Sequence, residues 1–121
     1  MLRPIPARIL THSATLMQCT GIDAWQNPTY TETPLAHICI QPMHETRMDA
    51  TNTQVTLNSV AFVDARLSTP TGFDFQAAQD ASEANGAPLA LIYNGRHYVV
   101  LTVDALVDDT GAYHHTELGL K

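Results

Sequence analysis

The sequence predicts a mainly β protein: a small antiparallel β-barrel or sandwich of five to six strands with one short helix over about 74–84. Three observations lead there. Two apolar runs, 89–93 and 96–103, flank Asn94-Gly95, and both central residues of a type I′ hairpin turn need positive φ, which Asn and Gly tolerate best. Other runs of strand length, led by 55–64, are rich in β-branched and aromatic residues. Only one stretch carries helical spacing between a capping residue and a Gly-containing stop. A few short antiparallel strands leave edges that recruit other chains unless the sheet closes, which favours a barrel or sandwich.

The elements follow in order. Residues 1–7 contain Pro4 and Pro6 and read as an extended arm, since proline blocks helix continuation. Residues 8–19 form a first strand, with Leu10, His12, Ala14 and Leu16 on one face and Thr11, Ser13, Thr15 and Met17 on the other. Residues 20–33 read as a loop through the turn formers Gly21, Asp23, Asn27 and Pro28. A second strand spans 34–41, and Pro42 stops it or marks an edge. Residues 43–54 are polar and aperiodic, a loop of about a dozen residues, a length at which loops tend to be functional or disordered. Residues 55–64 are the third strand. Asp74 caps a helix over 74–84, with Phe75, Ala78, Ala81 and Ser82 at helical spacing, and Asn85-Gly86 ends it.

In the hairpin, a two-residue turn pairs Tyr93 with Arg96 and Leu91 with Tyr98. One face then carries Leu89, Leu91, Tyr98 and Val100. The other carries Ala90, Ile92, Val99, Leu101 and Val103. With both faces apolar, the hairpin is expected to be covered on both sides. Residues 108–111 make a second turn into a last strand at 113–120.

Length and composition set bounds. The chain has 121 residues, enough for a single domain over 1–121 with a modest core. No apolar run nears the roughly 18 residues of a membrane helix, and the opening residues lack the apolar centre of a signal peptide. Both point to a cytosolic site of folding. Cys19 and Cys39 lie in strand-like runs and read as buried free thiols. Six Lys and Arg stand against twelve Asp and Glu, a formal net charge of −6. The basic residues are scattered singly, whereas a nucleic-acid grip needs a basic patch that exchanges counterions with phosphates.

No constellation with catalytic or metal-binding spacing emerges. Adjacent strand residues point to opposite faces, so His114 and His115 cannot serve one metal from a single face. Asp104, Asp108 and Asp109 lack the ligand offsets of a calcium loop. Ser59, Asp64 and His97 have no nucleophile elbow or oxyanion frame around them. Tyr93, Tyr98 and Phe62 lack the basic neighbours of a base-stacking platform. Trp25 stands apart: the only Trp, in a polar turn-rich loop, it either folds back on the domain or anchors a partner.

Several segments in this order carry a resemblance: Leu10-Thr11-His12, Trp25-Gln26-Asn27-Pro28-Thr29-Tyr30, Phe62-Val63-Asp64-Ala65-Arg66 with Pro70, Ile92-Tyr93-Asn94-Gly95, and His114-His115-Thr116-Glu117-Leu118-Gly119-Leu120. Together they resemble the small minor capsid proteins of tailed phages and prophages of Gram-positive bacteria, of the stopper or head–tail connector type. Residues 76–84 depart from that pattern, where a shorter, more polar stretch is expected. The resemblance implies a β-barrel subunit of the virion neck that forms a ring below the portal, folding in the host cytoplasm before assembly. It implies no enzyme and no cofactor. Its partners would be copies of itself, portal or adaptor and tail proteins, with genomic DNA only as transiting cargo and no membrane. Candidate contact residues are Trp25 and Tyr30 in the first loop and Met43, His44, Arg47 and Met48 in the second, which would face the axial channel or a neighbouring subunit. An acidic wall repels phosphates and lets DNA slide. The alternative is a small barrel module that binds nucleic acid or protein without catalysis.

Overall fold

The Asn94-Gly95 turn forms as the sequence predicts, with φ of 51° and 74°, and Tyr93 pairs with Arg96 and Leu91 with Tyr98. A computed structural model of the chain describes residues 9–48, 52–65, 67–70, 73–107 and 110–121. Its elements are β1 (His12–Ile22), β2 (Pro28–Met48), β3 (Gln54–Asp64), α1 (Phe75–Ala84), β4 (Ala90–Tyr93), β5 (Arg96–Val107) and β6 (Tyr113–Leu120). The proline arm at 1–7, Arg66 and Asp108-Asp109 of the second turn lie outside the described residues, as do 49–51 of the polar segment.

The strands pair antiparallel in the ring order β1-β2-β3-β6-β5-β4, and β4 returns to β1 to close a barrel. Leu16, Leu35, Ile38, Leu91, Leu118 and Leu120 fill the interior at 2% exposure or less. Cys19 and Cys39 are buried free thiols, as their strand positions predict.

Three expectations change. First, residues 20–33 are mostly strand: β1 runs on to Ile22 and β2 begins at Pro28, leaving a tight turn between them. Second, β2 does not stop at Pro42. It continues to Met48, 21 residues in all, and residues 45–48 pair with β3 after a register shift that takes in Met43 and His44. A proline at a bulge loses no ladder bond, and polar, aperiodic residues suit a ribbon that packs mainly through its ladder. Third, the hairpin is fully buried on one face only. Leu89, Leu91 and Val100 are buried, whereas Ala90, Ile92 and Leu101 are half-buried and Val99 is exposed: in a barrel wall one face is core and the other meets solvent.

β2 is bent. Its first half pairs with β1 and its second half with β3, and Ile38 alone is shared by both registers. The bend falls at His37, whose φ is +55°. Ser68 holds it by donating to the His37 carbonyl and accepting from the Asp64 amide at 2.8 Å. The Ala36 and Thr69 backbones exchange two bonds of 3.1 Å beside it.

Helix α1 closes one end of the barrel. Asp74 caps it, its Oδ1 accepting from the Ala77 amide at 3.0 Å. Phe75, Ala78, Gln79 and Ser82 are its buried side chains, so Gln79 takes the inward place expected of Ala81. The reason lies in the ladder. β4 pairs with β1 only through residues 15–17 of β1, so backbone groups beyond need other partners. Ser82 Oγ accepts from Cys19 N–H at 2.9 Å, and Asn85 Nδ2 donates to Cys19 O at 3.1 Å. Gln79 donates to Val100 O at 2.6 Å and accepts from Leu89 N–H at 2.9 Å.

Strand direction gives the barrel two unlike ends. β1, β3 and β5 run one way round an antiparallel ring, so the β1–β2 turn, the β3–α1–β4 connection and the β5–β6 turn share one end, the helix end. The opposite end carries the β2–β3 connection, the β4–β5 turn, the start of β1 and the finish of β6.

Candidate functional surface

The β1–β2 turn is a rigid mount for Trp25. Asp23 Oδ1 accepts from the amides of Trp25 and Asn27, both at 2.9 Å. The Asp23 amide donates to Asn27 O at 2.9 Å, and Gln26 takes φ of +66°. This side-chain-capped turn leaves Trp25 81% exposed. The sequence left open whether Trp25 folds back or stands out, and it stands out. Ile22 and Tyr30 are exposed beside the turn, and Leu106, Val107 and Tyr113 are exposed on the β5–β6 hairpin that rises from the same end. Nearby, Phe73, Phe75, Val103, Ala105, Tyr113 and Thr116 line a groove of about 470 Å³ at the start of α1, with the Phe73 and Phe75 rings tilted 4.8 Å apart.

The second candidate segment forms a hairpin arm that curls over the barrel wall. Thr102 pairs with Gly119 and Asp104 with Glu117. These four alternate with the inward Leu118 and Leu120, so they share the outer face of β5 and β6. The arm reaches that face. Arg47 donates to Asp104 at 3.0 Å and to Glu117 at 2.7 Å, and also to Glu45. Leu57 is fully buried against Gly119. A Cβ on Gly119 would stand 2.1 Å from Thr102 Oγ1 and 2.8 Å from Leu57 Cδ1, so glycine is required for that close approach.

Electrostatics reinforce the contact. Partial burial opposes the charge on Arg47, but bonds to Glu117, Glu45 and Asp104 outweigh it and hold its pKa above the ordinary value. Burial likewise works against ionised Glu117, yet bonds from His115 and Arg47 prevail and depress its pKa. Glu117 is thereby kept ionised. Arg47, expected to reach a partner, is engaged within its own chain. Met43 is half-buried, and His44 and Met48 are exposed on the same arm.

His114 and His115 also depart from expectation. A register shift between Leu106 and Val107 makes His114 an extra residue opposite β5, and such a bulge re-aims side chains. The two Nδ1 atoms lie 2.7 Å apart, and His115 Nε2 lies 2.9 Å from Glu117 Oε2. With His115 Nε2–H donating to Glu117, its Nδ1 accepts from His114, a tautomer assigned from the network. Asp64 turns its carboxylate to the Leu67 amide at 2.9 Å. Among the described residues no group of three or more His, Cys, Asp or Glu could hold a metal ion.

Sequence reasoning reached Trp25 and Tyr30 but missed Leu106, Val107 and Tyr113. Their signal was an apolar run extending past the pairing expected for the barrel wall. Asp104 and Glu117, the distant partners of Arg47, left no local signal, lying 57 and 70 residues away. The chain matches the family described as minor capsid protein over residues 6–120. No curated protein is matched.

Proposed function

The chain belongs to the minor capsid protein family, a structural component of the phage virion, and from that premise we propose that it is a head–tail connector subunit. Copies assemble as a ring below the portal, in the stopper position, and join head to tail. The carrying observation is the exposed apolar set at the helix end: Trp25 on its rigid turn, with Ile22, Tyr30, Leu106, Val107 and Tyr113. Exposed apolar side chains on two hairpins at one end of the barrel suit a protein–protein interface, and aromatic side chains dominate interface energetics. A preorganised turn adds little ordering cost on binding. The closed barrel leaves few free edges, so contacts are confined to the projecting hairpins and end faces.

Portal or adaptor and tail proteins are the neighbours this reading names, and DNA passes through without being gripped. Deletion of the gene followed by electron microscopy tests it. The expected result is filled heads without tails, with complemented particles carrying the protein at the head–tail junction. Tailed infectious particles lacking the protein, or label spread over the capsid shell, would overturn it.

A further inference from the structure

Among the described residues, the two ends of the barrel differ in charge as well as in shape. At the helix end, the carboxylates that reach the surface are Asp23, Asp74, Asp80 and Glu83, and no Lys or Arg occurs there among the described residues. At the opposite end, Arg96 and His97 are exposed on the β4–β5 hairpin, and Lys121 is exposed at the finish of β6. No Asp or Glu lies there among the described residues outside the curled arm. Lys121 is not loose: its amide donates to Val99 O at 3.0 Å and its carbonyl accepts from Val99 N–H at 3.1 Å. The charges are therefore held on ladder-bonded backbone at one end and, through Asp80 and Glu83, on a packed helix at the other.

We infer that the occupant of the helix end is the Arg96–Lys121 end of a second copy of this chain, in a head-to-tail contact. The inference rests on the connector reading and adds which faces meet. Among the described residues, a helix end whose surface charges are carboxylates and an end carrying Arg96 and Lys121 are complementary only in the heterologous sense, since like end against like end juxtaposes like charges. Heterologous contacts generate closed rings when the rotation per copy divides the circle. The apolar set supplies area. One Trp buries about 150–250 Å², against about 800 Å² per partner in a standard interface. Trp25 alone is therefore too little, and the whole set with its acidic surround is needed.

Lys121 is the only lysine of the chain, which makes a zero-length carbodiimide cross-link decisive. Particles grown with mixed isotope labels are cross-linked and digested. The expected product joins Lys121 of one copy to Asp80 or Glu83 of another, seen as mixed-label peptides. In parallel, Asp80→Lys with Glu83→Lys forms one variant, and Arg96→Glu with Lys121→Glu forms the other. Each alone is expected to cut incorporation about tenfold or more, while both pairs in one chain, or the two variants co-expressed, restore it. All four positions are exposed, so folding is unaffected, which thermal denaturation checks. Cross-links from Lys121 only to other virion proteins, or to carboxylates outside the helix end, overturn the inference. So does an Arg96→Glu, Lys121→Glu variant that incorporates normally. If particles carry a multi-copy ring yet show these results, the connector reading survives and this contact does not. If the neck holds no ring of this protein, both fall.

Discussion

Replacing Arg47 with Met removes the charge that ties the arm to the barrel wall while keeping an apolar stem of similar length. Three carboxylates, on Glu45, Asp104 and Glu117, then face one another without a cation. The Arg47 side chain is 21% exposed, and its partners are 34%, 45% and 17% exposed. Each pair is therefore partly screened, in the range of about 0.2–1 kcal/mol for solvent-accessible pairs. Summed over three contacts, the loss is about 0.6–3 kcal/mol. At this chain length that corresponds to a fall in Tm of roughly 2–12 °C.

The sign with pH follows from Glu117. Its folded pKa is depressed, so its contribution is complete above the ordinary carboxylate value, near pH 4.3, and is lost as pH falls through the lower folded value. Denaturation followed by circular dichroism at pH 7 and pH 3, in low and high salt, reads the effect. The gap between wild type and Arg47→Met should be largest at pH 7 in low salt, shrink with added salt, and be smaller at pH 3 than at pH 7. Equal loss at both pH values would show that Arg47 acts by packing alone, and no loss at pH 7 would remove its role in holding the arm.

Gly119→Ala places a Cβ 2.1 Å from Thr102 Oγ1 and should cost about 1–3 kcal/mol by overpacking; adding Thr102→Ala should recover part of it in a denaturant titration. Gln79→Leu leaves the Leu89 amide and the Val100 carbonyl without their side-chain partner, and urea unfolding should show a loss of roughly 2–4 kcal/mol. Trp25→Ala should leave Tm within about 1–2 °C, because an exposed side chain adds little to folding, yet reduce the yield of tailed particles. A large Tm drop there would mean that Trp25 packs on its own barrel.

Local chemistry carried most of the wall. Asn94-Gly95 and the flanking runs determined a type I′ hairpin, because few residue pairs accept two positive φ values. Asp74 and Asn85-Gly86 bounded the helix, since capping is read within a turn. The alternation in residues 113–120 set the last strand, and the family motifs pointed to a virion protein.

What the sequence could not determine was anything that depends on contacts across long separations. Residues 43–48 look like loop because they are polar, and only the β3 ladder and the Arg47 contacts with Asp104 and Glu117 make them strand. His114 and His115 meet because pairing with β5 slips by one residue there. The gathering of Trp25, Leu106, Val107 and Tyr113 at one end, and of Arg96 and Lys121 at the other, follows from strand direction in a closed ring. Periodicity tells which face a residue occupies, whereas ring closure decides which ends of distant strands stand side by side.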